Sequence, residues 1–208
     1  MTAAEKYYTQ VLTGCGRTAA VDIGWAGSGA MALSCLVEKV WELPCQVSGI
    51  VAGTNTIHSA EPDASEMFLQ TGKLTAYLYS QSHNRDLLKK HDPNRDYNIF
   101  WELLLASPTP QFSGFYEGRM TGEASKFMEE LDITLIFGRE DYNQEGIREI
   151  QRGILDFAYE YQSHFKDFPY MFHISGRDAY APMLAAASHR ERYLKAMEKK
   201  FGIEKNIV

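Results

Sequence analysis

Residues 18 to 54 constrain the fold more than any other stretch of the chain. Thr18 to Ile23 (TAAVDI) is short and mostly apolar, and Gly24 to Gly29 (GWAGSG) is a glycine-rich turn. After the turn, Leu33, Leu36, Val37, Val40 and Trp41 recur at i, i+3, i+4, i+7 and i+8, which puts one apolar stripe on a helix running to about Leu43. Pro44 ends it, and Gln46 to Ala52 (QVSGIVA), closing at Gly53, is β-branched and apolar. The segment is thus strand, helix, strand. A crossover that contains a helix joins parallel strands, and strand twist makes the connection right-handed.

The remaining elements fit an α/β chain. Leu74 to Tyr79 (LTAYLY) predicts a third strand, and His83 to Asp96 (HNRDLLKKHDPNRD) an exposed loop or short charged helix. Ile99 to Ala106 (IFWELLLA) predicts a buried helix halted by Pro108 and Pro110, Gln111 to Glu117 a strand at a sheet edge, and Ile133 to Phe137 a buried strand. In the C-terminal third, Ile147, Ile150, Ile154, Phe157, Ala158, Tyr161 and Phe165 form one helical face, with Gly153 suited to a close crossing. Ser188 to Glu191 has the form of a capping box for a last helix ending near Gly202. The fold class expected is therefore α/β and Rossmann-like: a mostly parallel sheet flanked by helices, with a helical C-terminal third. No repeat or low-complexity linker divides residues 1 to 208, so one domain is expected, with Ile57 to Ser65 and the polar run at 83 to 96 as places for a hinge.

Composition excludes several function classes. Of 208 residues, 45% are hydrophobic and 23% charged, which is globular rather than disordered or fibrous. Lys and Arg total 21 against 27 Asp and Glu, a net charge of −6, so no diffuse basic surface exists for nucleic acid or anionic lipid. Cys15, Cys35 and Cys45 form no CxxC pair and read as reduced thiols, and the six histidines show no HxxxH or HxH spacing for zinc. Neither an export signal nor a run of about 18 apolar residues is present, so no membrane span and a cytoplasmic location are expected.

The candidate site is Asp22 to Gly29, between a strand end and a helix start, where ligands of open α/β sheets collect. Unpaired N–H groups and the partial positive charge of a helix start attract phosphate or carboxylate. The ligand-binding set expected there is Gly24, Trp25, Ala26, Gly27, Ser28 and Gly29, with Trp25 able to stack on a sugar or base or to anchor packing. Asp22 is the candidate metal ligand, with magnesium as the candidate ion. It is also a candidate base or sugar-hydroxyl acceptor, or simply a carboxylate that accepts N–H groups of the turn. The turn runs G-x-x-G-x-G rather than G-x-G-x-x-G, no acid follows the second strand, and no lysine lies between Lys6 and Lys39, which disfavours ordinary NAD or ATP binding. Glu102, in an apolar helix, is a second catalytic candidate, and Gln151, beside an apolar helix face, a further ligand contact; surface pairing and a boundary position are their ordinary alternatives.

VDIGWAGSG at 21 to 29, FWELLLASPTPQFSGFYEG at 100 to 118 and IQRGILDFAYEY at 150 to 161 resemble a region of large bacterial proteins of surface-polysaccharide gene clusters. There the region follows a haloacid-dehalogenase-like domain, and the proteins carry labels such as predicted hydrolase or glycosyltransferase-associated. The resemblance implies sugar phosphates, nucleotide sugars or polyprenyl-linked sugars as ligands, an attached or neighbouring enzyme domain as partner, and a chain that is a piece of a larger polypeptide. It does not imply phosphatase chemistry here. Such phosphatases need D-x-D-x-T/V, whereas Gly24 stands where the second Asp would supply the proton, and Thr134 stands likewise after Asp132. The function expected is a phosphate-, sugar-phosphate- or nucleotide-sugar-binding module of surface-polysaccharide assembly. Its rivals are a non-catalytic docking domain and a magnesium-dependent hydrolase using Asp22.

Overall fold

The computed structural model describes residues 2–54, 64–91, 98, 101, 102, 105, 107–118, 133–138, 143–189, 192, 193 and 195. Helix α1 (Ala3–Val11) opens on a capping box: the Thr2 hydroxyl accepts from Glu5 N–H while the Glu5 carboxylate accepts from Thr2 N–H. Strand β1 (Arg17–Asp22), helix α2 (Ser28–Cys35) and strand β2 (Gln46–Gly53) then form the expected unit, and β3 (Leu74–Tyr79) follows helix α3 (Ala64–Gln70). The three strands pair in parallel in the order β1-β2-β3, with Asp22 beside Val51 and Val51 beside Ala76. The loops after Asp22, Gly53 and Tyr79 therefore leave the sheet on the same side.

One sheet face is packed, and the other carries exposed apolar residues. Val47, Val51, Leu74 and Leu78 are buried, and the α2 side of the sheet adds Val37 and Cys45, packed with Leu12, Leu33, Trp41 and Leu43. On the opposite face Val21 is 77% exposed, and Ile50 and Tyr77 are also exposed. The predicted stripe on α2 is only partly buried, for a backbone reason. Residues Leu36–Val40 form a π turn, whose wider winding carries Leu36 and Val40 into solvent while Val37 stays in the core.

A second core gathers Leu78, Tyr79, Leu87, Leu88, Tyr180 and Met183, with Trp25 and Trp101 packed against it. It joins β3, helix α4 (Arg85–Lys90) and helix α6 (Gly176–Ser188). The polar run at 83 to 96 is thus partly structural: α4 buries Leu87 and Leu88, and His91 beyond it is fully buried. The α4–α6 pairing is fastened outside by a two-point bond from Arg177 to Asp86, at 2.6 and 2.8 Å.

Strands β4 (Phe112–Glu117) and β5 (Ile133–Phe137) pair antiparallel with each other in a separate two-stranded sheet. The mostly parallel sheet is thus a three-stranded parallel sheet plus this ribbon, and β5 is only partly buried, with Ile133 inside and Ile136 and Phe137 exposed. Of the predicted helix at 99 to 106, Trp101, Glu102 and Leu105 are described and helical, with Leu105 exposed rather than buried.

The C-terminal part is helical, as the spacing predicts, through α5 (Gln144–Phe165), a 3-10 turn (Pro169–Phe172) and α6. Three local expectations are corrected. The apolar face of α5 is largely solvent-facing from Ile154 to Phe157. No atom lies within 4 Å of a Cβ built on Gly153, so no close crossing occurs there. Ser188 is the last residue of α6, with its hydroxyl donating back to Ala185 O, so it does not cap a new helix. Gly202 and residues 55–63, most of the first proposed hinge, lie outside the described residues.

Candidate functional site at the strand ends

The turn from Ile23 to Gly27 is built by backbone geometry. Gly24 has φ +139°, and a Cβ there would lie 2.4 Å from Gly53 O, so only glycine fits between the ends of β1 and β2. Gly27 has φ +71° and forms the N-cap of α2 under the Leu74 side chain, 2.6 Å from where its Cβ would be. Ala52 N–H donates to Ile23 O at 3.1 Å, and the buried Ser65 hydroxyl donates to Ala26 O at 2.7 Å. Two neighbouring elements thus hold the turn in one shape.

The opening of α2 is accessible. Ala26, Ser28 and Gly29 are exposed, no side chain caps the helix, and its first internal bond runs from Met31 N–H to Gly27 O. The N–H groups of Ser28 and Gly29 precede that bond, so they point out of the helix unpaired among the described residues. The Asp22 carboxylate lies beside Gly29: its Oδ2 is 3.7 Å from where a Cβ on Gly29 would sit. Asp22 is exposed and its carboxylate makes no hydrogen bond among the described residues, so it is not consumed in bracing the turn.

Trp25 links this opening to the second core. Its indole N–H donates to Glu102 Oε1 at 3.2 Å, its ring lies 4.6 Å from His91, and it runs nearly parallel to Tyr79 at 6.4 Å. Trp25 and Glu102 are both half-buried, so each keeps an edge toward solvent. Sequence candidates that lie 77 positions apart are thus joined by one hydrogen bond. Gln151 lies half-buried on α5, whose main contact among the described elements is with the 3-10 turn.

Behind Trp25 sits a polar-aromatic group that motif reading misses. His91 is fully buried, with Nδ1 2.6 Å from the Tyr180 hydroxyl and Nε2 2.5 Å from Asn98 Oδ1. The Tyr79 ring lies over Gly53, and its buried hydroxyl has no partner among the described residues; burial first, then the neighbouring Tyr180, hold its pKa well above the ordinary phenol value. Thr54 Oγ1 and Trp101 Nε1 are likewise buried without partners among the described residues. The signal for His91 was its spacing, since it follows Leu87 and Leu88 at i+4 and i+3 and so shares their inward side.

No cluster of three or more His, Cys, Asp or Glu capable of holding a metal is found among the described residues. A magnesium ion at Asp22 would therefore complete its shell from ligand phosphate oxygens and water, the usual arrangement for this hard, reluctantly dehydrated cation. No helix among the described residues is long and apolar enough to cross a membrane. Comparison of the chain with protein-family models, with curated proteins and with solved structures finds no match.

Proposed function

We propose that the protein is a Rossmann-like binding module for a phosphorylated sugar or nucleotide sugar, working in the cytoplasm in surface-polysaccharide assembly. The observation that carries the reading is the uncapped, exposed first turn of α2 beside an unpaired Asp22 carboxylate, at the C-terminal ends of parallel strands. In this reading the Ser28 and Gly29 N–H groups take phosphate oxygens. Asp22 would repel that phosphate on its own, so it binds through a shared magnesium ion. The free edges of Trp25 and Glu102 meet the sugar, the indole by its apolar surface and the carboxylate by accepting hydroxyl protons. The chemistry is binding and positioning, with Glu102 a further group suited to moving a proton.

The test is thermal unfolding with sugar phosphates and nucleotide sugars, each with and without magnesium. At 100 times its Kd a ligand adds about 2.7 kcal/mol, which for a chain of this size raises Tm by about 5–10 °C. Asp22→Ala is expected to remove the magnesium-dependent part of that rise. No rise with any phosphorylated sugar overturns the reading. It would favour a docking domain instead, which has its own support in the exposed apolar residues Val21, Ile50 and Tyr77 of one sheet face, since parallel sheets are normally covered on both faces.

A further inference from the structure

We propose that the Tyr79 hydroxyl is a second contact of the strand-end site, hydrogen-bonding a sugar hydroxyl of the bound phosphorylated sugar once the Trp25 indole has swung away from Glu102. The assignment deepens, and rests on, the reading of the α2 opening as a phosphate site.

Sheet geometry puts the phenol in front of that opening. A Cβ on Gly49 would meet Ala30 and Met31, so Gly49 faces α2, and the alternation of β2 turns Val51 and Gly53 the same way. Asp22, paired with Val51, reaches Gly29 on that face. With Ala30 over Gly49 and Gly29 beside Asp22, the N-terminus of α2 points toward the C-terminal ends of the strands. Gly53 lies two residues beyond Val51 in that direction, about 7 Å further along. The Tyr79 ring fills the space over it: Cζ, the carbon that bears the hydroxyl, is 2.8 Å from where a Gly53 Cβ would be. A register slip brings this about. Val51 pairs with Ala76 but Gly53 with Tyr79, so the extra residue falls in β3 and Tyr79 takes the place that Leu78 would have.

The hydroxyl is placed without a use inside the fold. Tyr79 is fully buried and its hydroxyl has no partner among the described residues, although phenylalanine would fill the same ring space without that cost. Burial keeps the phenol protonated, so it can donate as well as accept. Its ring neighbours are Trp25, His91 and Tyr180. His91 and Tyr180 are fully buried and Trp25 only half, so among these neighbours the way to solvent runs past Trp25. The indole N–H is held by half-buried Glu102 at 3.2 Å, a long bond that water can replace. Walls of aromatic rings disfavour a phosphate dianion but suit a sugar, whose C–H face packs on them while a hydroxyl meets the phenol.

Calorimetric titration of the native chain and Tyr79→Phe, with magnesium present, tests the assignment with two probes: inorganic phosphate and uridine diphosphate glucose. Phosphate affinity is expected to agree within about twofold, and the nucleotide sugar to bind Tyr79→Phe at least about fivefold more weakly, because a sugar hydroxyl is left unpaired. Equal affinity of the two chains for the nucleotide sugar overturns the proposal, and so does an equal loss for both probes. A native chain that binds phosphate but not the nucleotide sugar overturns it while the phosphate site stands. Binding of neither probe removes the phosphate reading and this proposal with it. Should Tyr79→Phe unfold, the native protein labelled at tyrosine Cζ decides by NMR: the Tyr79 signal is expected to move with the nucleotide sugar and not with phosphate, and an unmoved signal overturns the assignment.

Discussion

At the residue scale the account rests on a few side chains and on two positions without one. Gly24→Ala would press a Cβ against a carbonyl oxygen of the central strand, and backbone cannot give way as a flexible side chain can. The expected loss is at least about 2 kcal/mol, read as a lower urea midpoint with unchanged slope. Tyr79→Phe runs the other way. It deletes a buried hydroxyl with no partner among the described residues, so the variant should be at least as stable as the native protein, by up to about 1 kcal/mol. A loss of more than about 1 kcal/mol would mean that the hydroxyl has a partner after all. Asp22 and the glycine turn were legible in the sequence, because strand, glycines and helix follow one another within a few residues. The His91–Tyr180 pair was not, because 89 positions separate its members and only the packing of α4 on α6 brings them together.

At the element scale, Glu38 is the clamp between the helix after the glycine turn and the sheet. It accepts from Val47 N–H at 2.7 Å and from the Ser34 hydroxyl at 3.1 Å, and it pairs with Lys73 just before β3. The Lys73 contact first, and the Val47 and Ser34 bonds after it, hold its pKa below the ordinary 4.5 against the opposing effect of burial. A depressed carboxylate stabilises the fold above its unfolded pKa, and that contribution is lost as pH falls through the folded value. The urea midpoint should therefore drop from pH 4.5 downward, and Glu38→Gln should flatten the drop while costing about 1 kcal/mol at neutral pH. Asp86 adds to the same acid limb, since the Arg177 fork holds its carboxyl down at about 2. Element type followed from spacing for α2, β2, β3 and α5, because period depends only on neighbours along the chain. Burial did not follow: the π turn rotated Leu36 and Val40 outward, and α5 presents its apolar residues to solvent.

At the scale of the whole molecule, the β1-β2-β3 order makes β1 an edge strand among the described residues, so the opening of α2 borders solvent rather than a neighbouring strand. That keeps the Ser28 and Gly29 donors reachable by a ligand larger than phosphate alone. Sequence periodicity could name three strands but not their order, because order depends on where each crossover lands rather than on any local pattern. The most direct measurement is an amide proton–nitrogen NMR titration of the native protein with a nucleotide sugar in the presence of magnesium. The account predicts saturable shifts in the Gly27, Ser28 and Gly29 resonances, accompanied by Trp25 indole N–H, with the magnesium-dependent part of the amide shifts lost in Asp22→Ala. Saturable binding that leaves those three amides unmoved would contradict it.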